Sequence, residues 1–315
     1  MEQRYLGRSG LRVSRLGLGT LTWGRDTDEH EAADQLTAFV EAGGTLLDTA
    51  GSYGDGASEE LIGSFLDDLV SRDDVVICTK AGVVPRGDRR EVDCSRRALL
   101  ASLDTSLARL RTDHVDLWLA QVWDPHVPVE ETLSALQQAV SSGRARYVGV
   151  SNYSGWQVAR AASLAERDGA AGVPLVANEV EFSLLARKAE DEVLAATQAL
   201  GLGMLAWAPL GRGVLTGKYR TGTPADSRAA SPHFVSYVEP YLADGPRRVV
   251  EAVATAAEGL GCAPLEVALA WARDHRGVAS AIVGARTAAQ LRGLLSAEEL
   301  ELPAEIRQAL DDVSL

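Results

Sequence analysis

The feature that most constrains this chain is its beat. Eight short apolar runs recur at 16–19, 45–48, 75–80, 115–121, 145–151, 176–179, 203–206 and 280–283. Between them lie longer segments with apolar residues at helical spacing: 28–42, 58–69, 95–110, 129–142, 154–168 and 188–200. Two more, 246–260 and 264–274, precede the last run, and 287–295 and 303–313 follow it. Strand and helix in strict alternation mean parallel strands joined by crossovers. Eight such units predict an α/β fold, a closed (β/α)8 TIM barrel, with residues 1–315 forming one domain. The competing architecture is an open doubly wound sheet, which carries a GxGxxG turn after its first strand. Here GLGTLTWG puts Thr22 where the third glycine belongs, and no helical pattern starts at once, which favours the barrel. The opening RYLGRSGLRVSR reads as a hairpin around residues 7–10, expected to cover the end of the barrel away from its mouth. One connection, the long loop 209–245 after the seventh strand, exceeds an ordinary βα loop and holds Tyr219, Phe234, Tyr237 and Tyr241. Loops of that length serve function or motion.

Composition narrows the partners. The chain carries a formal charge of −13, which argues against nucleic acid or an anionic membrane and for a small-molecule partner. A phosphorylated cofactor still needs only a local cluster of donors. The three cysteines form no CxxC pair and the five histidines show no metal-ligand spacing, so no metal site is expected. The segment MEQRYLGRSG lacks a signal-peptide apolar core, and a cytoplasmic home is expected. No feature of the sequence specifies an oligomer.

In a barrel, the residues at the C-terminal ends of the strands surround one mouth. Those ends supply Thr20 to Trp23, Asp48 with Tyr53, Lys80, Gln121 with Trp123, Ser151 with Asn152, Glu179, Trp207, and Gly284 to Thr287. Asp48, Tyr53 and Lys80 can form a proton-donor site. A Lys cation about 4 Å from a phenol favours the phenolate by roughly 4 kcal/mol at an effective dielectric near 20. That predicts an acidified Tyr53 able to protonate a carbonyl oxygen, with Asp48 holding Lys80 charged and in place. Trp23 and Trp123 are the candidate apolar walls of a substrate pocket.

Over nearly its full length the chain resembles the aldo-keto reductase superfamily, as a bacterial-type member. The pieces that carry the resemblance are LGLGT, LLDTAGSYG, VVICTKAG, HVDLWLAQVWDP, YVGVSNYS, ANEVEFSLLAR, LAWAPLGRGVLTGKY and IVGARTAAQL. The resemblance implies a barrel that binds NADPH or NADP+ across its mouth and reduces an aldehyde or ketone to an alcohol. It implies Tyr53 as proton donor with Lys80 and Asp48 in support. Ser151 and Asn152 would hold the nicotinamide carboxamide, and Trp207 would stack on its ring. The backbone of Leu210, Gly211, Arg212 and Gly213 would cover the pyrophosphate, and Arg286 and Thr287 would face the adenosine 2′-phosphate. Thr20, Pro209, Gly284 and Gln290 complete the implied cofactor site.

The chain departs from the family pattern in three places, the last of them a pair of residues. Gln121 stands where a His is usual; it can donate a hydrogen bond but carries no titrating proton. Glu179 replaces the usual Gln beside the nicotinamide, where a carboxylate favours the cationic oxidised ring. Gly293 and Leu294 replace an adenine-contacting Glu and Asn. The Gln121 departure keeps two alternatives open: an NADP(H)-binding regulatory or sensor protein of low turnover, and a reductase of an activated C=C bond. A barrel aldolase or isomerase using Lys80 as a Schiff base is a further reading, one that leaves the cofactor-like motifs without a purpose.

Overall fold

A computed structural model describes residues 1–86, 89–166, 172–225, 227–231 and 234–315. The chain begins with a hairpin, β1 (Gln3–Tyr5) against β2 (Arg12–Ser14), in register Arg4 with Val13. Its turn needs Gly7: φ is +59°, and a Cβ there would lie 2.4 Å from the carbonyl oxygen of Gly201. The Arg8 N–H donates to that same oxygen at 2.7 Å. Leu6 and Val13 are fully buried among Leu46, Leu117 and Leu205, so the hairpin closes the N-terminal end of the barrel, as expected.

The barrel strands and their helices then alternate. β3 (Leu16–Gly19) leads to α1 (Glu29–Glu41), and β4 (Leu46–Asp48) leads to α2 (Ala57–Phe65). After β5 (Val76–Ala81) comes a second hairpin, β6 (Val83–Arg86) with β7 (Arg89–Val92), and then α3 (Arg96–Leu110). β8 (Val115–Ala120) with α4 (Val129–Ser141), β9 (Ala145–Ser151) with α5 (Gly155–Ala165), and β10 (Leu175–Glu181) with α6 (Val193–Leu200) continue the pattern. β11 (Gly203–Trp207) is followed by a long excursion containing α7 (Val235–Val238), then α8 (Asp244–Leu260) and α9 (Pro264–Arg273). β12 (Val278–Val283), α10 (Ala288–Leu295) and α11 (Ala304–Ser314) end the chain. Among the described residues eight parallel strands close the barrel, with β12 pairing β3 through Ala281 and Leu16. Helix starts are capped where the sequence offers a short oxygen: Asp28 accepts from Glu31 N at 2.9 Å, and Ser95 from Ala98 N at 3.3 Å.

Side chains alternate along each strand with a period of two. Leu47, Ile77 and Trp118 face outward into the layer beneath the helices, while Leu46, Cys78 and Leu117 face the barrel interior. The same alternation carries Asp48, Lys80 and Glu179 inward, one step nearer the mouth. The core is thus apolar in its lower layer and charged at its upper rim.

Three expectations change. The helix predicted at 154–168 is described only as Gly155–Ala165; Asp168 lies outside the described residues, as does His233. The segment 209–245, expected as one long loop, contains α7 and the 3₁₀ turn Gly211–Thr216. The β6–β7 hairpin had no counterpart in the predicted elements. It includes Pro85, and β7 is exposed along its whole length, so no half-buried alternation marks it. No single helix among the described residues is long and apolar enough to cross a membrane; α8 and α9 pass that test only as a pair, and they bend by 103°.

Candidate active site

The rim of the barrel holds a contact chain of four polar groups. The Lys80 ammonium stands 2.5 Å from Asp48 Oδ1 and 3.3 Å from Glu179 Oε2. It also donates to the Thr49 carbonyl at 3.1 Å and to Tyr53 Oη at 3.4 Å. Asp48, Lys80 and Glu179 are each 2% exposed. Tyr53 arrives on the tight turn after β4, where Asp55 and Gly56 take positive φ. Gly56 is required there, because a Cβ would fall 2.2 Å from the Arg109 guanidinium, which is itself held by buried Glu59 at 3.3 Å.

Two carboxyl groups face one ammonium, and this sets the electrostatics. Burial works against the Lys80 charge, but Asp48 and Glu179 outweigh it and hold the ammonium well above its ordinary range. Burial, with Asp48 beside it, pushes Glu179 up to about 8; Lys80 offsets this only in part. Glu179 is the looser partner, because its Oε2 has no aligned hydrogen-bond donor among the described residues. Tyr53 is also held above its ordinary value: loss of solvent around the hydroxyl comes first, and Asp48 and Glu179 add to it. Lys80 pulls the other way without prevailing. The expected acidification of Tyr53 is therefore corrected. The single Lys–Tyr pair had left out burial and the two carboxyl groups. Asp48, Cys78 and Glu179 also bring one ligand atom each within 4.8 Å of one another, but Lys80 is the cation these two carboxyl groups share.

The raised Glu179 makes a stability prediction. A folded carboxyl that keeps its proton more tightly than the ordinary 4.5 loses folding stability as pH rises from about 4.5 to about 8. Glu179→Gln removes that loss. Its melting temperature relative to the native protein rises between pH 5 and pH 8 and then levels. Thermal melts at pH 5, 7 and 9 check this; a Gln variant that becomes relatively weaker with pH would mean that Lys80 holds Glu179 ionised.

A cavity of about 750 Å³ opens above this floor. Asp48, Tyr53, Lys80, Gln121, Ser151, Asn152, Glu179 and Trp207 all line it. Gln121 Oε1 accepts from Ser52 Oγ at 3.3 Å, so what the amide offers the cavity is its N–H donors. Asn152, at φ +59°, donates to the Gln121 carbonyl and to Ser151 Oγ, both at 3.0 Å, and accepts from Trp207 Nε1 at 3.0 Å. That network sets the plane of the Trp207 indole. Ser151 Oγ is spent on the Glu179 carbonyl at 3.0 Å.

Pro209, Leu210, Arg212, Gly213, Gly284, Arg286 and Gln290 line the rest of the cavity along its β11–β12 side. The Arg212 guanidinium is occupied: it forks onto Glu181 at 2.7 Å through two nitrogens, donates to the Tyr237 carbonyl at 2.5 Å and lies 3.8 Å above the Tyr237 ring. It ties the long loop to β10.

Five predicted residues stand elsewhere. Trp23 is fully buried, its indole N–H on Gln35 Oε1 at 3.1 Å and its ring edge-on to Phe65; it is core and not a pocket wall. Trp123 packs edge-on between Tyr153 and Trp156, with centroids 5.2 Å away in each case, outside the cavity lining. Thr20 sits behind Asp48, donating to its carbonyl at 3.0 Å. Thr287 is spent capping α10, accepting from Gln290 N at 3.2 Å. Gly211 is buried beneath the loop, against Leu185. The cavity adds Arg25, Arg90, Lys218, Phe234 and Tyr237, which the strand ends did not indicate. The aromatic content of the long loop was the only signal for the last two.

Comparison with known proteins follows the same lines. The model of the Aldo/keto reductase family matches residues 15–314. An uncharacterized oxidoreductase, YrpG, of Bacillus subtilis is 37% identical, over 99% of this chain and 96% of its own length. A probable voltage-gated potassium channel subunit beta of Oryza sativa is 38% identical, over 90% of this chain and 87% of its own. The corresponding Arabidopsis thaliana protein is 34% identical, over 95% and 92%.

Proposed function

The chain belongs to the aldo/keto reductase family, and from that premise we propose that it reduces an aldehyde or ketone to an alcohol with NADPH, the proton coming from Tyr53. The observation that carries this reading is the contact chain Asp48–Lys80–Tyr53 at the floor of a cavity that also holds Gln121. Bound NADPH supplies the hydride. Tyr53 holds its proton through neutral pH and delivers it to the carbonyl oxygen; Lys80 then stabilises the phenolate left behind, and solvent restores the proton. The Gln121 amide N–H orients the carbonyl oxygen, and Ser52 fixes which end of that amide points inward.

The residues fit the cofactor. The ring of Trp207 is braced by Asn152, and a turn of three successive positive φ at Gly211, Arg212 and Gly213, closed by the Gly211 and Gly213 N–H groups on the Ala208 and Leu210 carbonyls, sets Arg212 and Gly213 at the cavity wall. Arg286 and Lys218 line the same side of the cavity. The unbridged cysteines support a reducing, cytoplasmic setting.

NADPH binding followed by fluorescence, then a panel of carbonyl substrates, tests the proposal; absence of NADPH binding ends it. Preference for the phosphorylated cofactor rests on Arg286. Arg286→Ala weakens NADPH by about 10- to 100-fold, the range of one charge-assisted hydrogen bond, and NADH by much less. Equal losses for both would show that Arg286 does not read the 2′-phosphate.

Two observations favour a second reading, a nicotinamide-binding sensor of low turnover. Gln121 brings no titrating proton to the site, and two of the relatives are named as potassium channel β subunits. A single-turnover assay separates the two: rapid NADPH oxidation by a bound carbonyl supports the reductase, and its absence with tight NADPH binding supports the sensor.

A further inference from the structure

The mouth of this acidic chain is locally basic. Arg25, Arg90, Lys218 and Arg286 line the cavity, while its two buried acids, Asp48 and Glu179, already face Lys80. These cations are not equivalent in barrel order. Lys218 follows β11 and Arg286 follows β12, adjacent strands of the barrel. Arg90 comes from the β6–β7 hairpin after β5, four strands from β11 and so diametrically across the barrel. Its neighbours in barrel order are β4, whose following turn carries Tyr53, and β8, which leads directly into Gln121. Arg90 therefore stands on the substrate's side of the mouth, between the proton donor and the amide that orients the carbonyl.

Its contacts give the same placement. Arg90 Nη2 donates to the Ser52 carbonyl at 2.8 Å, and Ser52 is bonded to Tyr53 and reaches Gln121 at 3.3 Å through its hydroxyl. The acid facing Arg90, Asp55, is 3.9 Å away with a side chain 75% exposed, a weak and screened partner. A guanidinium in this position presents a planar fork suited to a carboxylate, with one edge anchored to the backbone and the rest half exposed at the cavity wall.

We infer that the substrate is a carbonyl compound that also carries a carboxylate, and that Arg90 reads it. This rests on the reductase reading above and narrows it to a substrate class. The Arg90 cation draws the carboxylate to the mouth despite the chain's overall negative charge and sets the orientation in which the carbonyl oxygen meets Tyr53.

The test compares 4-carboxybenzaldehyde with its methyl ester, two aldehydes of similar shape that differ by one charge, the ester being the more electrophilic. The native enzyme with NADPH is expected to favour the acid by at least about 10-fold in kcat/KM. Arg90→Gln lowers that acid-to-ester ratio by roughly 10- to 100-fold, the range of a charge-assisted hydrogen bond, with the change mainly in KM. Arg90→Lys, which keeps the charge without the fork, falls between. Using the ratio cancels any general loss from a loosened Ser52 turn. A second readout needs no turnover: calorimetry of benzoate binding to the NADP+-loaded protein shows Kd raised at least about 10-fold by Arg90→Gln. An acid-to-ester ratio near one in the native enzyme, or one that Arg90→Gln leaves unchanged, overturns the inference with the reductase reading intact. If neither aldehyde nor any other carbonyl is reduced, both readings fall together.

Discussion

Tyr53→Phe lowers kcat for carbonyl reduction by at least about 100-fold, the low end of what general acid catalysis contributes. It leaves the Kd for NADPH within about 2-fold. The substitution is clean because Phe keeps the ring, which stands 5.2 Å from the Lys80 ammonium, and removes only the hydroxyl. That hydroxyl accepts a long bond of 3.4 Å from Lys80 and bears none of the barrel's closure, so the fold does not depend on it. The loss belongs in kcat because the proton is needed only as charge develops on the carbonyl oxygen. The pH profile gives a second check. Tyr53 is held above its ordinary value of 10, so it keeps its proton through the whole neutral range. The native enzyme therefore shows no loss of reductive kcat from tyrosine ionisation between pH 6 and pH 9, and the loss that comes at higher pH is absent in the Phe variant. Single-turnover measurement separates chemistry from product release. Near-normal turnover in the Phe variant ends the mechanism proposed here.

The barrel was legible because period-two alternation and eight repeated units are properties of the chain itself. The same alternation explains why Asp48, Lys80 and Glu179 could be read as one rim: Asp48 and Lys80 are the last inward positions of β4 and β5, and Glu179 lies one inward position before the end of β10. What escaped was set by neighbours distant in sequence. Trp23 follows a strand end and looked like a pocket wall, but the chain doubles back, with Trp23 N bonded to Thr20 O and Trp23 bridging Thr27. Its indole is thereby directed to Gln35 on α1. Arg212 was read as part of a ligand-covering segment; the carboxylate that captures its side chain, Glu181, lies on another strand. Arg90 stands on a hairpin with no apolar alternation, so nothing local marked it. The Tyr53 acidity went wrong in sign because one pair was summed where four groups and their burial act together.

Lys80→Met is the most disruptive single change at this site, and it acts on both activity and stability. Lys80 is the cation shared by two carboxyl groups that are each 2% exposed and whose nearest oxygens approach within 4.8 Å. Met has comparable reach and fills the space without steric conflict, so the loss is one of charge. Removing one partner of a buried ion pair costs about 3–5 kcal/mol, because the other is left uncompensated. Glu179, raised to about 8 in the native site, already holds a proton below that pH; Lys80 is what lowers it, so in the variant burial and Asp48 hold that proton to still higher pH. The sign follows. The stability that Glu179 loses with rising pH stops falling near pH 8 in the native protein, and in the variant it goes on falling above that value. Urea denaturation at pH 5, 7 and 9 should show the Met variant weaker than native by a similar amount at pH 5 and 7, with the gap wider at pH 9. Turnover falls at least about 100-fold at every pH, because the phenolate left on Tyr53 after proton transfer then faces two carboxyl groups with no cation beside it. A stability difference from the native protein that stays constant from pH 5 to pH 9 would mean that Lys80 is not what keeps the two carboxyl groups apart in charge.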